Sequence, residues 1–278
     1  MTDMKKECRV CMHRCVLDEG QTGRCRARMN RGGEIVCGNY GHITALALDP
    51  IEKKPLRRFL PGTKVLSVGS YGCNLNCPFC QNHDISMRGE DRCRYIFLTP
   101  EELAERAAEL GEKGNIGIAF TYNEPMISYE YIRDTSLLVR KAKMKSVVVT
   151  NGSVTEETLR RVLPYIDAMN IDLKGFTEEY YHMLGGDLET VKHFIQCAAQ
   201  ECHVELTTLI VPGKNDSAGE MRELARWAAG IDRKLPLHVT RFFPAFRMED
   251  GCPTDIQTVY RLAGEAAKYL DHVYTGNC

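Results

Sequence analysis

Short runs of β-branched and apolar residues alternate with amphipathic stretches along most of this 278-residue chain. This alternation is typical of parallel βα units, in which each helix covers the sheet that the neighbouring strands form. It predicts an α/β protein with a partial (β/α)6 TIM-type barrel, whose ligands lie at the carboxyl ends of the strands. The residues that follow each strand are therefore the first candidates for a functional site. The six predicted strands cover residues 64–70, 116–120, 146–150, 168–173, 203–210 and 236–241.

Cysteine is distributed unevenly, because eight of the 13 cysteines lie within the first 80 residues. Residues 1–60 are rich in Cys, Gly and Arg, with possible short strands at 34–37 and 42–48 and no clear helix. The sequence therefore predicts a small cysteine-rich N-terminal module at 1–60 and a barrel at 61–278. So short a segment builds little core alone, which favours a bound metal as a staple.

Charge and hydropathy restrict the partners and the location. The chain has 36 basic and 37 acidic side chains, and this net charge of −1 gives no electrostatic reason to expect binding to nucleic acid or to an anionic membrane. No segment approaches the roughly 18 uninterrupted apolar residues of a spanning helix. An odd number of cysteines without an export signal argues against disulfides, so we expect a soluble, cytoplasmic protein with free thiols.

Three cysteines follow the first predicted strand at spacings of three and then two residues, and we call Cys73, Cys77 and Cys80 the triplet. Three thiolates on one loop can converge on an iron-sulfur cluster, whereas a complete ferredoxin-type site takes four cysteines. One iron would then be open to a substrate or cofactor. The alternative is a tetrahedral zinc site completed by His83, for which this spacing would be unusual.

The triplet, with Phe79 just before its last cysteine, resembles the signature of the radical S-adenosylmethionine (SAM) superfamily. The resemblance implies a 4Fe-4S cluster and SAM as cofactors, and an electron donor such as flavodoxin or ferredoxin. In that superfamily the reduced cluster cleaves SAM to methionine and a 5′-deoxyadenosyl radical, which abstracts hydrogen from a substrate. The resemblance also implies that Phe79 packs against the adenine and that Gln81 belongs to the cofactor site.

Segments after the later strands resemble the pyruvate formate-lyase activating enzymes. Residues 121–125 look like their Gly-Gly-Glu-Pro segment, which implies that Asn123 and Glu124 hold the ammonium group of the methionine. The segments at 150–152 and 172–174 imply further cofactor contacts, for which a surface turn or an ordinary salt bridge is the competing interpretation. Position 246 carries a cofactor-contacting histidine in the activases and a phenylalanine here, which implies stacking. These further implied contacts are Thr150, Asn151, Asp172, Lys174 and Phe246.

A longer array of matches covers nearly the whole chain and resembles the AmmeMemoRadiSam-system radical enzymes. The matching segments are 39–41, 48–56, 59–62, 114–117, 121–125 and 274–277. That family is named for its association with Memo-like and AMMECR-like proteins, so the resemblance implies these two kinds of protein as partners. The name records an association rather than a reaction, and the substrate stays open.

The N-terminal module carries four cysteines at spacings of two, three and nine residues, which we call the quartet: Cys8, Cys11, Cys15 and Cys25. Four thiols with glycines nearby have ligand spacing for zinc, for a single iron or for an auxiliary cluster. Cys37 and His13 are spare candidates. The alternative is a set of reduced thiols that are merely packed in a small module.

Three classes of function remain in play. The first is a radical enzyme that acts on a small molecule or on a side chain of a partner protein. The second is a glycyl-radical enzyme activase, and the third is a non-catalytic iron-sulfur or zinc scaffold for a Memo-like partner. Glu124, Asp172 and Lys174 argue against the scaffold, because none of them is needed to hold a metal. Barrel architecture does not choose between the first two classes.

Overall fold

The computed structural model describes residues 5–278, so the start of the predicted N-terminal module, residues 1–4, lies outside the described residues. The strands are β1 (Lys6–Glu7), β2 (Val16–Leu17), β3 (Arg28–Arg31), β4 (Glu34–Cys37), β5 (His42–Ile43), β6 (Ala45–Pro50), β7 (Lys64–Gly69), β8 (Ile96–Phe97), β9 (Asn115–Phe120), β10 (Lys145–Thr150), β11 (Ala168–Asp172), β12 (His203–Ile210), β13 (Leu237–Arg241) and β14 (Val273–Gly276). The α-helices are α1 (His83–Ser86), α2 (Pro100–Glu109), α3 (Tyr129–Lys141), α4 (Glu156–Arg160), α5 (Glu178–Leu184), α6 (Leu188–Ala198), α7 (Ala218–Ile231) and α8 (Ile256–Ala266).

An eight-stranded sheet organises the chain, with the spatial order β14-β13-β12-β11-β10-β9-β7-β6. Successive strands from β7 to β14 pair in parallel, while β6 pairs antiparallel with β7. This arrangement confirms the α/β fold class and the partial TIM-type barrel. All six predicted strands are present, each within one residue of its predicted ends.

Two strands at the edges of the sheet extend the predicted barrel. β14 follows α8 and pairs with β13, and the sequence analysis assigned no strand there. The possible strand at 42–48 is divided, because β5 pairs with β8 whereas β6 joins the main sheet. The sheet therefore includes residues from within the 1–60 segment that the sequence analysis assigned to the N-terminal module.

Local sequence accounts for the strands and for the helix starts. The β10 sequence Lys-Ser-Val-Val-Val-Thr is rich in β-branched residues and is largely buried, as expected for a parallel strand covered on both faces. Helix α2 begins with a capping box, in which the Thr99 side chain accepts the Glu102 N–H and the Glu102 carboxylate accepts the Thr99 N–H. These local signals hold the ends of the barrel elements, and the loops that follow the strands carry the site.

The amino-terminal end of the barrel is filled by residues 51–62, which we call the plug segment. Ile51 and Leu56 are fully buried there and form an apolar cluster with residues of the central strands β7, β9, β10 and β11. The backbone N–H groups of Arg57 and Arg58 donate to the carboxylate of Glu205, over 3.0 and 2.7 Å. Apolar packing and backbone hydrogen bonds thus close this end, and the opposite end is left for the site.

The N-terminal module consists of short antiparallel pairs, β1 with β2 and β3 with β4. It docks onto helix α3 through Arg28, which is only 2% exposed and donates two hydrogen bonds of 2.7 and 2.9 Å to the Glu130 carboxylate. A bidentate pair of this kind fixes orientation as well as distance. Within residues 5–278, none of the helices is long and apolar enough to cross a membrane.

Candidate active site

A cavity of about 270 Å³ lies at the carboxyl ends of the barrel strands. The three cysteines of the triplet line it, on the loop that leaves β7. Side chains from the ends of β9, β10 and β11 complete the wall. Of the nine cofactor contacts implied by the sequence resemblance, eight line this cavity: Phe79, Gln81, Asn123, Glu124, Thr150, Asn151, Asp172 and Lys174.

Burial keeps the thiols of Cys73 and Cys77 protonated. Burial, reinforced by the charge of Glu124, raises the pKa of Cys73 well above its usual value. Burial also raises the pKa of Cys77 to about 11, although Lys174 opposes the shift. A metal that binds here must therefore displace protons. The Leu75 N–H donates to the sulfur of Cys73 over 3.4 Å, as donors to cluster sulfurs do.

The spacing of the sulfurs distinguishes the possible metals. Around one tetrahedral zinc ion with bonds of about 2.3 Å, neighbouring sulfurs lie roughly 3.8 Å apart. In the part of the chain that the structure describes, only Glu156, His193 and Cys197 bring three ligand atoms within 4.8 Å of one another. The triplet sulfurs are thus spread too widely to share one ion, and this donor set fits a larger iron-sulfur cluster. His83 places its Nδ1 3.2 Å from the Cys80 carbonyl oxygen, and it belongs to no set of three ligand atoms within 4.8 Å of one another among residues 5–278.

Glu124 follows β9 and is almost fully buried beside the triplet. Its carboxylate accepts hydrogen bonds from the Thr150 hydroxyl (2.7 Å), the Asn151 N–H (2.7 Å) and the Met126 N–H (3.0 Å). Burial raises the pKa of Glu124 to about 7 despite these three donors. All three partners are neutral, so the carboxylate can still gain a cationic partner from the cavity.

Two asparagine side chains connect the strand ends to the loop of the triplet. The Asn123 amide donates to the carbonyl oxygens of Tyr71 (3.2 Å) and Gly72 (3.1 Å), at the start of the loop. The Asn151 amide donates to the Asn74 side-chain oxygen over 2.9 Å. These contacts hold the loop backbone over the strand ends, so the two asparagines position the site as well as line it.

Asp172 and Lys174 form an ion pair of 2.8 Å at the end of β11. Burial opposes the charge on Lys174, but Asp172 and Cys77 outweigh it and raise the lysine pKa well above its usual value. The lysine is therefore a buried, permanently charged group in the cavity wall. The sequence analysis offered an ordinary salt bridge as the alternative to a cofactor contact. In the structure Asp172 and Lys174 form a salt bridge and also line the cavity.

The two predicted aromatic contacts have different locations. Phe79 is buried in the cavity wall, where its ring meets Phe242 edge to face at 6.3 Å. Phe246 is not part of the cavity lining, and its ring stacks on His83 at 4.7 Å between centroids. The backbone of Phe246 has a φ of 57°, which directs the ring toward that partner.

Tyr122 and Asn277 also line the cavity, although the sequence analysis did not select them. Tyr122 has a φ of 72°, a strained conformation for a bulky residue that is characteristic of functional sites. Its hydroxyl donates to Asp49 over 2.9 Å, and its ring lies over Gly69, where any Cβ would come within 2.8 Å of it. Both residues stand inside the matched segments 121–125 and 274–277, so their position after a strand was the available signal.

Comparisons with known proteins agree with this geometry. The Radical SAM superfamily matches this chain over residues 67–228. An uncharacterized protein of Methanocaldococcus jannaschii is 38% identical over 280 residues, which cover 100% of this chain and 83% of the relative.

Two solved structures share the fold. Streptococcus suis SuiB bound to S-adenosylmethionine superposes with a TM-score of 0.61 at 14% identity, over 77% of this chain and 52% of that chain. A domain of a pyruvate-formate lyase-activating enzyme from Bacteroides vulgatus gives a TM-score of 0.50 at 16% identity, over 57% of this chain and 98% of that chain. At these identities the likeness is one of fold.

Proposed function

This chain belongs to the radical SAM superfamily, and from that premise we propose that it reductively cleaves SAM at a 4Fe-4S cluster held by the triplet. When bound, the cluster supplies the electron that splits SAM into methionine and a 5′-deoxyadenosyl radical, which takes a hydrogen atom from the substrate. One observation carries the proposal. The triplet, the carboxylate of Glu124 with its three neutral donors and the charged Lys174 all line the same cavity.

The side chains around the cavity divide the work of holding SAM. Glu124 accepts hydrogen bonds from the methionine ammonium, because its present partners are neutral and a cation lowers the cost of its buried charge. Thr150 and Asn151 hold that carboxylate in place through their own hydrogen bonds. Lys174 faces the methionine carboxylate, with Asp172 fixing its ammonium group.

The remaining implied contacts serve the nucleoside and the loop. Phe79 and Gln81 contact the adenine from the loop of the triplet, and Asn123 contributes from the end of β9. For Phe246, whose ring lies against His83, a role in stacking on the cofactor requires a change of side-chain position on binding.

The proposal is tested by anaerobic reconstitution with iron and sulfide, followed by reduction with dithionite in the presence of SAM. We expect about four irons in the triplet site and formation of both methionine and 5′-deoxyadenosine. Cys77→Ala should abolish both properties of this site, whereas the matched control Cys202→Ala, remote from the cavity, should retain them. Wild-type amounts of 5′-deoxyadenosine from Cys77→Ala would overturn the assignment.

Within the superfamily we place the chain with the AmmeMemoRadiSam-system enzymes, with Memo-like and AMMECR-like proteins as partners, flavodoxin or ferredoxin as electron donor, and a cytoplasmic location. The array of matched segments between residues 39 and 277 supports this placement. Copurification of this protein with a Memo-like protein from its own cells is the direct test.

The substrate is a small molecule or a side chain of a partner protein. Deuterium transfer from labelled candidates into 5′-deoxyadenosine identifies which one donates the hydrogen atom. Transfer from a glycine of a partner protein would instead establish the activase. A chain that holds a cluster but forms no 5′-deoxyadenosine with any reductant would be the scaffold, which the presence of Glu124 and Lys174 disfavours.

We also propose that residues 1–60 and 61–278 are two functional units and that the quartet holds a metal: zinc, iron or a second cluster. Three of its four cysteines, Cys8, Cys11 and Cys25, are buried. Metal binding would then supply part of the folding free energy of the module.

A further inference from the structure

The quartet shares a hydrogen-bonding pattern with the triplet. In both sets, backbone N–H groups two or three residues further along the chain interact with the sulfurs, and such donors stabilise thiolates and tune iron-sulfur clusters. In the quartet the Arg28 N–H donates to the sulfur of Cys25 over 3.3 Å, and in the triplet the Leu75 N–H donates to the sulfur of Cys73 over 3.4 Å.

The quartet sulfurs, like those of the triplet, are not gathered as closely as one tetrahedral ion requires. Cys11 interacts electrostatically with each of the other three thiols, so the four form one group. No three of them lie within 4.8 Å of one another, since the only such set of ligand atoms in residues 5–278 is elsewhere. Four sulfurs that are close but do not share the position of a single ion leave room for a multi-atom cluster.

The first quartet loop touches the loop of the triplet directly. His13, between Cys11 and Cys15, places its Nε2 2.7 Å from the carbonyl oxygen of Asn74, the residue after Cys73. The side chain of Met12 packs against the apolar cluster that includes Leu75, Cys77 and Phe79. These two loops are therefore in direct contact.

The second quartet loop makes an equally close approach. Arg26, next to Cys25, donates to the carbonyl oxygen of Cys73 over 3.2 Å. Gly72 has a φ of 86°, and a Cβ at this position would lie 2.4 Å from the carbonyl oxygen of Cys25, so only glycine fits. Each of these contacts therefore joins a cysteine of one set to the chain neighbour of a cysteine of the other set.

From this placement we propose that the quartet holds a second iron-sulfur cluster, which relays electrons from a reduced protein donor to the cluster of the triplet. The inference rests on the proposed function, because the relayed electron is used only if the triplet holds a redox-active cluster. One electron leaves the flavodoxin- or ferredoxin-type donor, reduces the quartet cluster and passes to the triplet cluster, which returns the quartet cluster to its oxidised form. No proton or covalent bond changes during the relay.

The exposed side of the quartet suits such a donor. Three arginines within the quartet loops, Arg9, Arg14 and Arg24, are exposed, and Glu7 pairs with the first two of them. The excess positive charge favours encounter with an acidic electron-transfer protein and makes that encounter sensitive to salt.

The identity of the quartet metal is tested in a variant that lacks the triplet, with Cys73, Cys77 and Cys80 all replaced by Ala. After anaerobic reconstitution we expect it to lose about half of the wild-type iron and sulfide and to keep a cluster signal in electron paramagnetic resonance when reduced flavodoxin is added. Adding Cys11→Ala should remove the remaining iron and signal. Stoichiometric zinc, absence of any metal, or a cluster that reduced flavodoxin does not reduce would each overturn the relay.

The relay itself is tested with the triplet intact. For each variant the rate of 5′-deoxyadenosine formation with flavodoxin is divided by the rate with dithionite, a small reductant that can reach the triplet directly. Cys11→Ala should lose most of this ratio, and the control Cys202→Ala should keep it, because Cys202 lies just before β12, outside the quartet and outside the cavity of the triplet. Equal ratios in the two variants would overturn the relay. Absence of 5′-deoxyadenosine from the wild type with dithionite would contradict the proposed function, while the metal test of the quartet stands separately.

Discussion

Two carboxylates are buried in the same barrel and have opposite acidities. Glu124, at the carboxyl end of the strands, is 2% exposed, and burial raises its pKa to about 7. Glu205, near the amino end of β12, is 0% exposed, yet its pKa is lowered to about 2, because hydrogen bonds outweigh the effect of burial. The two histidines among its four donors are His203 (2.9 Å) and His238 (2.6 Å), beside two backbone N–H groups of the plug segment.

Glu205 is therefore stabilised by contacts within the fold, whereas Glu124 can still gain a cationic ligand. Both side chains bear a desolvation cost, but only Glu205 has enough donors to compensate for it. Glu124, with three neutral donors, is ionised at a cost that an incoming cation would reduce. Strongly shifted carboxyl groups that face a cavity are candidates for function on this physical ground, independently of any family resemblance.

The largest effect is expected at Glu205, whose carboxylate accepts hydrogen bonds from four groups. Glu205→Gln places an amide NH₂ group against backbone N–H donors and breaks the contact with a histidine, so the free energy of unfolding should fall by roughly 3 to 5 kcal/mol. Denaturant unfolding at pH 7 measures this loss. Glu124→Gln is the matched control, and it should lose less, because the raised pKa of Glu124 means that its site disfavours the charged form, which the neutral amide removes. Similar losses in the two variants would remove the distinction between the carboxylates.

The next largest effect concerns binding rather than folding. Glu124→Gln should weaken SAM binding by roughly 1.5 to 3 kcal/mol, the scale of a hydrogen bond to a charged group. Iron content should stay unchanged, because Glu124 is not one of the proposed cluster ligands. An anaerobic titration with SAM measures the affinity, and an unaltered dissociation constant would exclude Glu124 from the site.

The raised pKa of Glu124 predicts a pH dependence with a definite sign. The ammonium of SAM binds the ionised carboxylate, so below pH 7 binding must first release the proton that Glu124 holds in the empty site. The affinity should therefore fall as the pH is lowered from about 7, by up to roughly tenfold per pH unit. Titrations between pH 6 and pH 8 measure the slope, and Glu124→Gln should make the profile flat. A sloping profile in that variant would assign the proton to another group.

The smallest effect distinguishes the two histidines of Glu205. The His203 side chain is 30% exposed, whereas that of His238 is 6% exposed. His203→Gln should therefore cost only about 0.5 to 1.5 kcal/mol of unfolding free energy, the net value of an ordinary hydrogen bond. His238→Gln should cost more, because the gap it leaves is sealed from water. Equal losses by denaturant unfolding would show that exposure does not rank these partners.

Sequence patterns predicted the parts of the molecule that depend on short segments. The strands of the barrel follow from runs of β-branched residues, and the triplet and Glu124 were found because they directly follow such runs. The same logic did not select Tyr122, whose backbone conformation and packing over Gly69 are not visible in residue types. It also assigned no strand to β14, a four-residue edge strand.

Contacts between distant segments were beyond this kind of prediction. Glu205 lies within a run that resembles any buried strand, and its backbone partners at Arg57 and Arg58 are 148 and 147 residues away in sequence. The approach of Cys25 to Gly72 likewise joins two regions that the sequence analysis treated as separate units. Such pairings are set by the topology of the sheet, and no local pattern records them.

The plug segment determines the order of events in the proposed reaction. Leu56 is fully buried and Lys54 is only 3% exposed, so the plug segment fills the amino-terminal end of the barrel. The cavity lies at the opposite end, where the strands have their carboxyl ends. SAM, substrate and products would then enter and leave through the same opening of the cavity. We expect compulsory-order kinetics, in which SAM binds before the substrate covers it, and product inhibition by 5′-deoxyadenosine that is competitive with SAM.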